Sequence, residues 1–429
     1  MKSAIERIIG RRVWDSRGRP TIEVDVYLAG GAIGRALAPA GASTGSGEAL
    51  DRRDGGAAFG GLDVRHALVA VDTDIAPALK GRDATDQAAI DAALIARDGT
   101  PDKSRIGANA MVATSMAVAH AGAAARDLPL WRHLGGGDEA LLPLPEIQIF
   151  GGGAHAGRRV DVQDFMVTAI GASTFADALD WTAEIYRAAG QIMSEAGRLH
   201  GVADEGGFWP AFDDNEQALE WLLRAIERAG YRPGEQVAIS LDIAASEFGK
   251  GGRYRLTRAR NGAKELDRDD MAAMLLDWLR RYPIVAIEDP LAEDDAEGLA
   301  RFTRASGGRV QVIGDDFLVT NAARVEAAAT LGACNALLVK PNQAGTLTEA
   351  KSAWAAADSR GWGALISARS GETEDTTIVH LAVGWGVRQL KVGSFTRSER
   401  MAKWNEGLRL AEQLHGGRLP PRSAFPWGR

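Results

Sequence analysis

Six short apolar runs, each breaking off into polar residues, pace the second half of this 429-residue chain. They are "VAISLDIAAS" (237–246), "PIVAIEDPLAEDD" (283–295), "VQVIGDDF" (310–317), "NALLVKPNQ" (335–343), "GALISARSGE" (363–372) and "RQLKVGS" (388–394). The polar residues at the run ends are Asp242, Glu288, Asp315, Lys340, Arg369 and Lys391, separated by 46, 27, 25, 29 and 22 residues. All gaps but the first are close to one strand-plus-helix unit of an eight-fold barrel, about 31 residues. Near-continuous apolar strands are what a parallel sheet covered by helices requires. Helix-like segments at 269–282 and 347–359 fall between the runs. The spacing predicts an α/β chain whose second half is a β/α barrel, with its chemistry at the C-terminal strand ends.

The first half reads differently. "PTIEVDVYLA" (20–29) alternates as a half-buried antiparallel strand does, and 105–126 is a helix rich in small residues. "LGGGDEALLPLP" (134–145) reads as a linker. An N-terminal α+β domain over 1–136 and a barrel over 137–429 follow. A net charge of −7 without a basic stripe argues against nucleic acid as a partner. No stretch of about 18 apolar residues is present, so no membrane span is expected. The single cysteine, Cys334, excludes an internal disulfide framework and an all-thiolate metal site, and fits a reducing, cytoplasmic setting.

Three carboxylates converging from neighbouring strands repel one another unless a cation lies between them. Hard oxygen ligands in that number suit Mg²⁺, although acidic residues also cap loops. Lys340 and Lys391 occupy the same rim. A lysine beside a divalent ion and a second cation is expected to have a lowered pKa, toward a working base; the alternative is a solvated cation. Glu205 lies in a glycine-flanked loop, "GVADEGGFWP", which lets backbone approach a ligand closely. No nucleotide P-loop, H-E-x-x-H or paired C-x-x-C is present.

Set beside "DSRGRPTIEVDVY" (15–27), "GASTGSGEALDRRDG" (41–55), "DEGGFWP" (204–210), "IEDPLAEDD" (287–295), "NALLVKPNQAGTLTE" (335–349) and "RSERMAKWNE" (397–406), these residues make the chain resemble enolase over nearly its whole length. The resemblance implies an N-terminal α+β capping domain and an enolase-type barrel whose early strands depart from strict β/α alternation. It implies two Mg²⁺ ions, the first on Asp242, Glu288 and Asp315, the second near Ser43 of the mobile loop. Lys340 would take the C2 proton. Glu205, with Asp164 beside it, would protonate the departing C3 hydroxyl. Lys391 would meet the substrate carboxylate, and His155, Arg369 and Ser370 its phosphoryl group, with Gly41, Ala42 and Ala368 also bordering the substrate. A small phosphorylated or phosphonylated hydroxy acid is the implied partner, and a homodimer or larger homo-oligomer the implied assembly.

Several positions depart from the enolase pattern. Ala368 and Gly47 stand where histidines are expected, Asp164 where a glutamate is, and Gln148 and Gly151 where asparagines are. Exchanging imidazole for methyl at 368 is expected to open room beside the phosphoryl group, and Arg158 and Arg159 either add positive charge there or form a surface pair. The expectation is enolase-type dehydration of a 2-phosphoglycerate analogue with a modified phosphoryl group, similar to the carboxyphosphonoenolpyruvate synthase branch of phosphonate antibiotic biosynthesis. The alternatives are an ordinary enolase making phosphoenolpyruvate and a non-catalytic binding protein.

Overall fold

Alternating residues in the first segments form a three-stranded antiparallel meander, β1 (Ile5–Trp14), β2 (Pro20–Leu28) and β3 (Ile33–Leu37). The computed structural model describes residues 1–259, 262–414 and 416–428. β2 is buried along nearly its whole length, not half-buried as its alternation suggests. Its polar face is covered because Asp25 pairs with Arg11 and Arg35, while its apolar face meets the helix Ala108–Ala125. That helix is built from small residues, which lets the backbones close in. A Cβ on Gly34 would stand 2.1 Å from the carbonyl oxygen of Ala117.

The barrel opens with β4 (Leu144–Gly151), β5 (Asp164–Thr168) and β6 (Ala238–Asp242). β5 runs antiparallel to both neighbours. Only loop and a turn of 3₁₀ helix separate β4 from β5, too little for the crossover that a parallel return requires. The chain then makes an excursion, the small sheet β7 (Gly249–Lys250), β8 (Arg253–Leu256) and β9 (Lys264–Asp267). This sheet explains the 46-residue gap that the periodic reading left over. Regular alternation resumes with β10 (Ile284–Glu288), β11 (Gln311–Gly314), β12 (Ala336–Val339), β13 (Gly363–Ser367) and β14 (Gln389–Ser394), and β6–β10 pairing closes the barrel.

Asp242 and Glu288 end β6 and β10, and Asp315 and Lys340 follow β11 and β12 by one residue. Lys391 differs from expectation. It lies within β14, in register with Ser367 and Glu146, so its backbone sits deeper than the other run ends while its ammonium reaches the strand-end acids Asp242 and Glu288. Other acids do cap: Asp214, Asp267 and Asp295 each accept an N–H in the first turn of a helix. Of the site acids, Asp242 Oδ1 also accepts the Ala244 N–H at 3.0 Å in its own loop, while Glu288 and Asp315 instead meet lysine ammonium groups.

Candidate active site

One buried cavity at the C-terminal strand ends brings together Ser43, His155, Asp164, Glu205, Asp242, Lys340, Ala368, Arg369, Ser370 and Lys391. Glu288 and Asp315 stand behind it, each reached through a lysine. Lys391 Nζ lies 2.9 Å from Asp242 Oδ2, 2.8 Å from Glu288 Oε2 and 3.6 Å from Asp164 Oδ2. Lys340 Nζ contacts Asp315 Oδ2, whose other oxygen accepts from Gln343 Nε2 at 2.9 Å. The three expected metal ligands are therefore shared between two ammonium groups and do not ring one point. Among the described residues, the groups with ligand atoms all within 4.8 Å are instead Asp289, Asp315 and Asp316, and His155, Asp164 and Glu205.

The donors nevertheless fit a divalent ion. Glu288 Oε1 is buried without a hydrogen-bond partner, and burial followed by the charge of Asp242 holds this carboxyl well above its usual range. An orphaned hard oxygen beside two further carboxylates is a donor set that Mg²⁺ satisfies. Burial disfavours the Lys340 ammonium, but contact with Asp315 outweighs it, so the amine sits above its ordinary value. The lowered value expected from sequence requires a metal ion to take the Asp315 oxygens. Asp289 and Asp316, one residue beyond Glu288 and Asp315, were missed. Asp289 accepts the backbone N–H groups of Asp315 and Asp316 at 3.0 and 2.8 Å, fixing the turn that aims Asp315. Burial, then Asp315, lifts it to about 8.

On the acid side, His155 bridges two carboxylates. Its Nδ1 lies 3.2 Å from Asp164 Oδ1 and its Nε2 3.7 Å from Glu205 Oε1. Burial works against the imidazolium, yet Glu205 and Asp164 raise it to about 9. The departures at 148, 151 and 164 form a single unit. Gln148 Nε2 donates to Asp164 Oδ1, and Gln148 Oε1 accepts from Gly207 N at 2.9 Å. The longer amide reaches the shorter acid. A Cβ on Gly151 would lie 2.7 Å from Ala203 Cβ and 3.2 Å from Gln148 Oε1, so the glycine leaves the space the glutamine uses.

The loop at 41–48 is pinned to the barrel. Arg369 Nη1 donates to Glu48 Oε2 at 2.9 Å and to Asn342 Oδ1 at 3.1 Å, while Nη2 donates to the Ser43 carbonyl at 2.9 Å. The Ala42 N–H donates to Ser370 Oγ at 2.8 Å. Arg369 thus clamps the loop in this structure instead of presenting a free guanidinium to an anion. Gly41 faces a neighbouring cavity, and Ala42 is exposed. Ala368 is buried and donates its N–H to the Lys391 carbonyl at 2.9 Å. The room expected beside it is not open, because the cavity measures about 20 Å³, enough for about one water. Arg158 is exposed and pairs with Glu247, and neither it nor Arg159 lines the cavity, so the surface reading of that pair holds. Over Gly47 lies the Arg324 guanidinium, 2.1 Å from where a Cβ would stand.

Comparison with known proteins agrees with this geometry. Residues 5–134 match the model for "Enolase, N-terminal domain" and residues 139–418 that for "Enolase, C-terminal TIM barrel domain". The chain is 47% identical over 427 residues to a protein named Enolase from Acidothermus cellulolyticus, covering 99% of this chain and 98% of that relative.

Proposed function

The chain belongs to the enolase family, and we propose that this Mg²⁺-using carbon–oxygen lyase removes water from 2-phosphoglycerate to give phosphoenolpyruvate. The observation that carries the reading is the cavity shared by Lys340, Glu205 and Lys391, with the acidic strand ends behind it. Lys340 Nζ takes the proton from C2. Glu205 gives a proton to the C3 hydroxyl, which leaves as water. The Lys391 ammonium holds the substrate carboxylate, and imidazolium His155, kept charged by Asp164 when Glu205 carries its proton, faces the phosphoryl end. Asp242, Glu288 and Asp315 would hold one Mg²⁺ and Ser43 would help hold a second. When bound, these ions supply positive charge against the carboxylate as it gains charge. The Arg369 and Ser370 contacts to the 41–48 loop keep water from the reacting carbons.

A second reading, dehydration of an analogue with a substituted phosphoryl group, is favoured by Ala368, where a methyl borders the cavity in place of the expected imidazole. The distant Arg158 weighs against it, as does the 47% identity to a protein named Enolase. Purified protein with Mg²⁺ and 2-phosphoglycerate decides between them. Turnover near the enzyme median of about 10 s⁻¹ supports the first reading. Turnover at least a hundredfold slower, with faster use of a carboxyphosphonyl analogue, would replace it with the second. A cytoplasmic homodimer, with the cap and barrel dividing at 136/137, completes the proposal.

A further inference from the structure

The barrel interior directly below the site is split in character. On one side, Ala286, Ile313, Ala336, Leu338 and Leu365 form a small apolar cluster. On the other side are Glu146 of β4, Thr168 of β5 and Ser240 of β6, all fully buried. Strand periodicity sets their direction, because side chains two apart share a face. Glu146 precedes Gln148 by two residues, Ser240 precedes Asp242 by two, and Thr168 follows Asp164 by four. All three therefore point inward, one layer beneath the cavity.

These groups are poorly satisfied by protein. Both oxygens of Glu146, Thr168 Oγ1 and Ser240 Oγ lack a partner at full hydrogen-bond geometry, although Ser240 stands close enough to Glu146 to favour its carboxylate. Glu146 and Thr168 face each other in register, and Ser240 is in register with Met166, two residues before Thr168. Buried polar atoms so weakly bonded in one layer are costly unless something between them bonds. Apolar residues would have been free of that cost. Lys391 is the register partner of Glu146 on β14. Its ammonium also contacts Asp242, Glu288 and Asp164, two of which are candidate metal ligands.

We propose that Glu146 is a positioning residue for Lys391, acting from below through internal water held jointly with Thr168 and Ser240. Its carboxylate keeps the ammonium in place when Asp242 and Glu288 are engaged with a cation. Burial lifts Glu146 to about 7, and Lys391 is the strongest influence keeping it ionised. The role rests on Lys391 serving the proposed lyase reaction, so one arm of the test does not use activity. Crystal structures of the Mg²⁺-loaded wild type and of Glu146→Met should show ordered water bridging Glu146, Thr168 and Ser240, and a Lys391 ammonium displaced in the variant. A dry layer, or a Lys391 that stays in place, overturns the proposal even if the protein proves inactive on 2-phosphoglycerate. In the kinetic arm, Glu146→Gln should lower kcat about tenfold with KM changed less than about threefold, and Glu146→Asp should recover most of it. Equal kcat in wild type and Glu146→Gln would overturn it as well.

Discussion

Truncating Glu48 should release the 41–48 loop while leaving the barrel intact. Arg369 and Glu48 are both buried, and they meet through two contacts, Nη1 to Oε2 at 2.9 Å and Nη2 to Oε1 at 3.2 Å. Glu48 also accepts the Gly45 N–H at 3.0 Å and Gln343 Nε2 at 3.2 Å. In Glu48→Ala, the guanidinium keeps only Asn342 and the Ser43 carbonyl as acceptors. Removing one partner of a buried ion pair costs about 3–5 kcal/mol. The chain can avoid that cost by opening the loop, which hydrates Arg369 without unfolding the strands. The closed loop is then disfavoured by about two to three and a half decades, a ceiling set by how stable the loop was to begin with. Hydrogen exchange reads this directly. The Ala40 and Ala42 amides, bonded to the Gly371 carbonyl and to Ser370 Oγ, should exchange at least tenfold faster, while amides of β12 keep their protection. Lyase activity should fall in parallel, because the open loop admits water. Unchanged exchange at 40–42, or a uniform increase that includes β12, would refute the clamp.

Other outcomes follow from the same contacts. Gly151→Asn alone should destabilise by about 1–3 kcal/mol, since its Cβ would lie 2.7 Å from Ala203 Cβ, and adding Gln148→Asn should recover part of the loss in a urea double-mutant cycle; strict additivity would show that the two positions are independent. His155 is raised to about 9 from its ordinary value near 6.5, so its contribution is fully present below about pH 6.5 and is lost as pH rises through 9. Melting temperature should therefore fall more steeply between pH 7 and 10 in the wild type than in His155→Gln; parallel curves would contradict this. Mg²⁺ should raise the melting temperature of the wild type by mass action, and Glu288→Gln should abolish the shift; an undiminished shift in that variant would place the ion elsewhere.

Much of the barrel was legible because its strands are short apolar runs with a single polar end, and Asp242, Glu288, Asp315 and Lys340 fall at or just after strand ends. Hydropathy could not reveal the direction of β5, which depends on the missing crossover helix, nor the β7–β9 excursion, whose strands are too short to register as runs. That the Lys391 backbone lies inside β14 is not visible in "RQLKVGS", which does not show where pairing with β4 begins. The partner of Arg369 is 321 positions away at Glu48, and no local pattern links them. The joint fit of Gln148, Gly151 and Asp164 emerges only when β4 and β5 lie side by side. Glu146, by contrast, left a visible mark: the single charged residue in "LPLPEIQIF", a strand whose other polar side chain is Gln148.

The division of labour between Lys340 and Glu205 can be measured at one hydrogen. In D₂O with Mg²⁺, proton NMR of 2-phosphoglycerate should show Glu205→Gln protein exchanging the C2 hydrogen without releasing enolpyruvate, and Lys340→Met protein doing neither. C2 exchange that persists in Lys340→Met would mean that another group takes the proton.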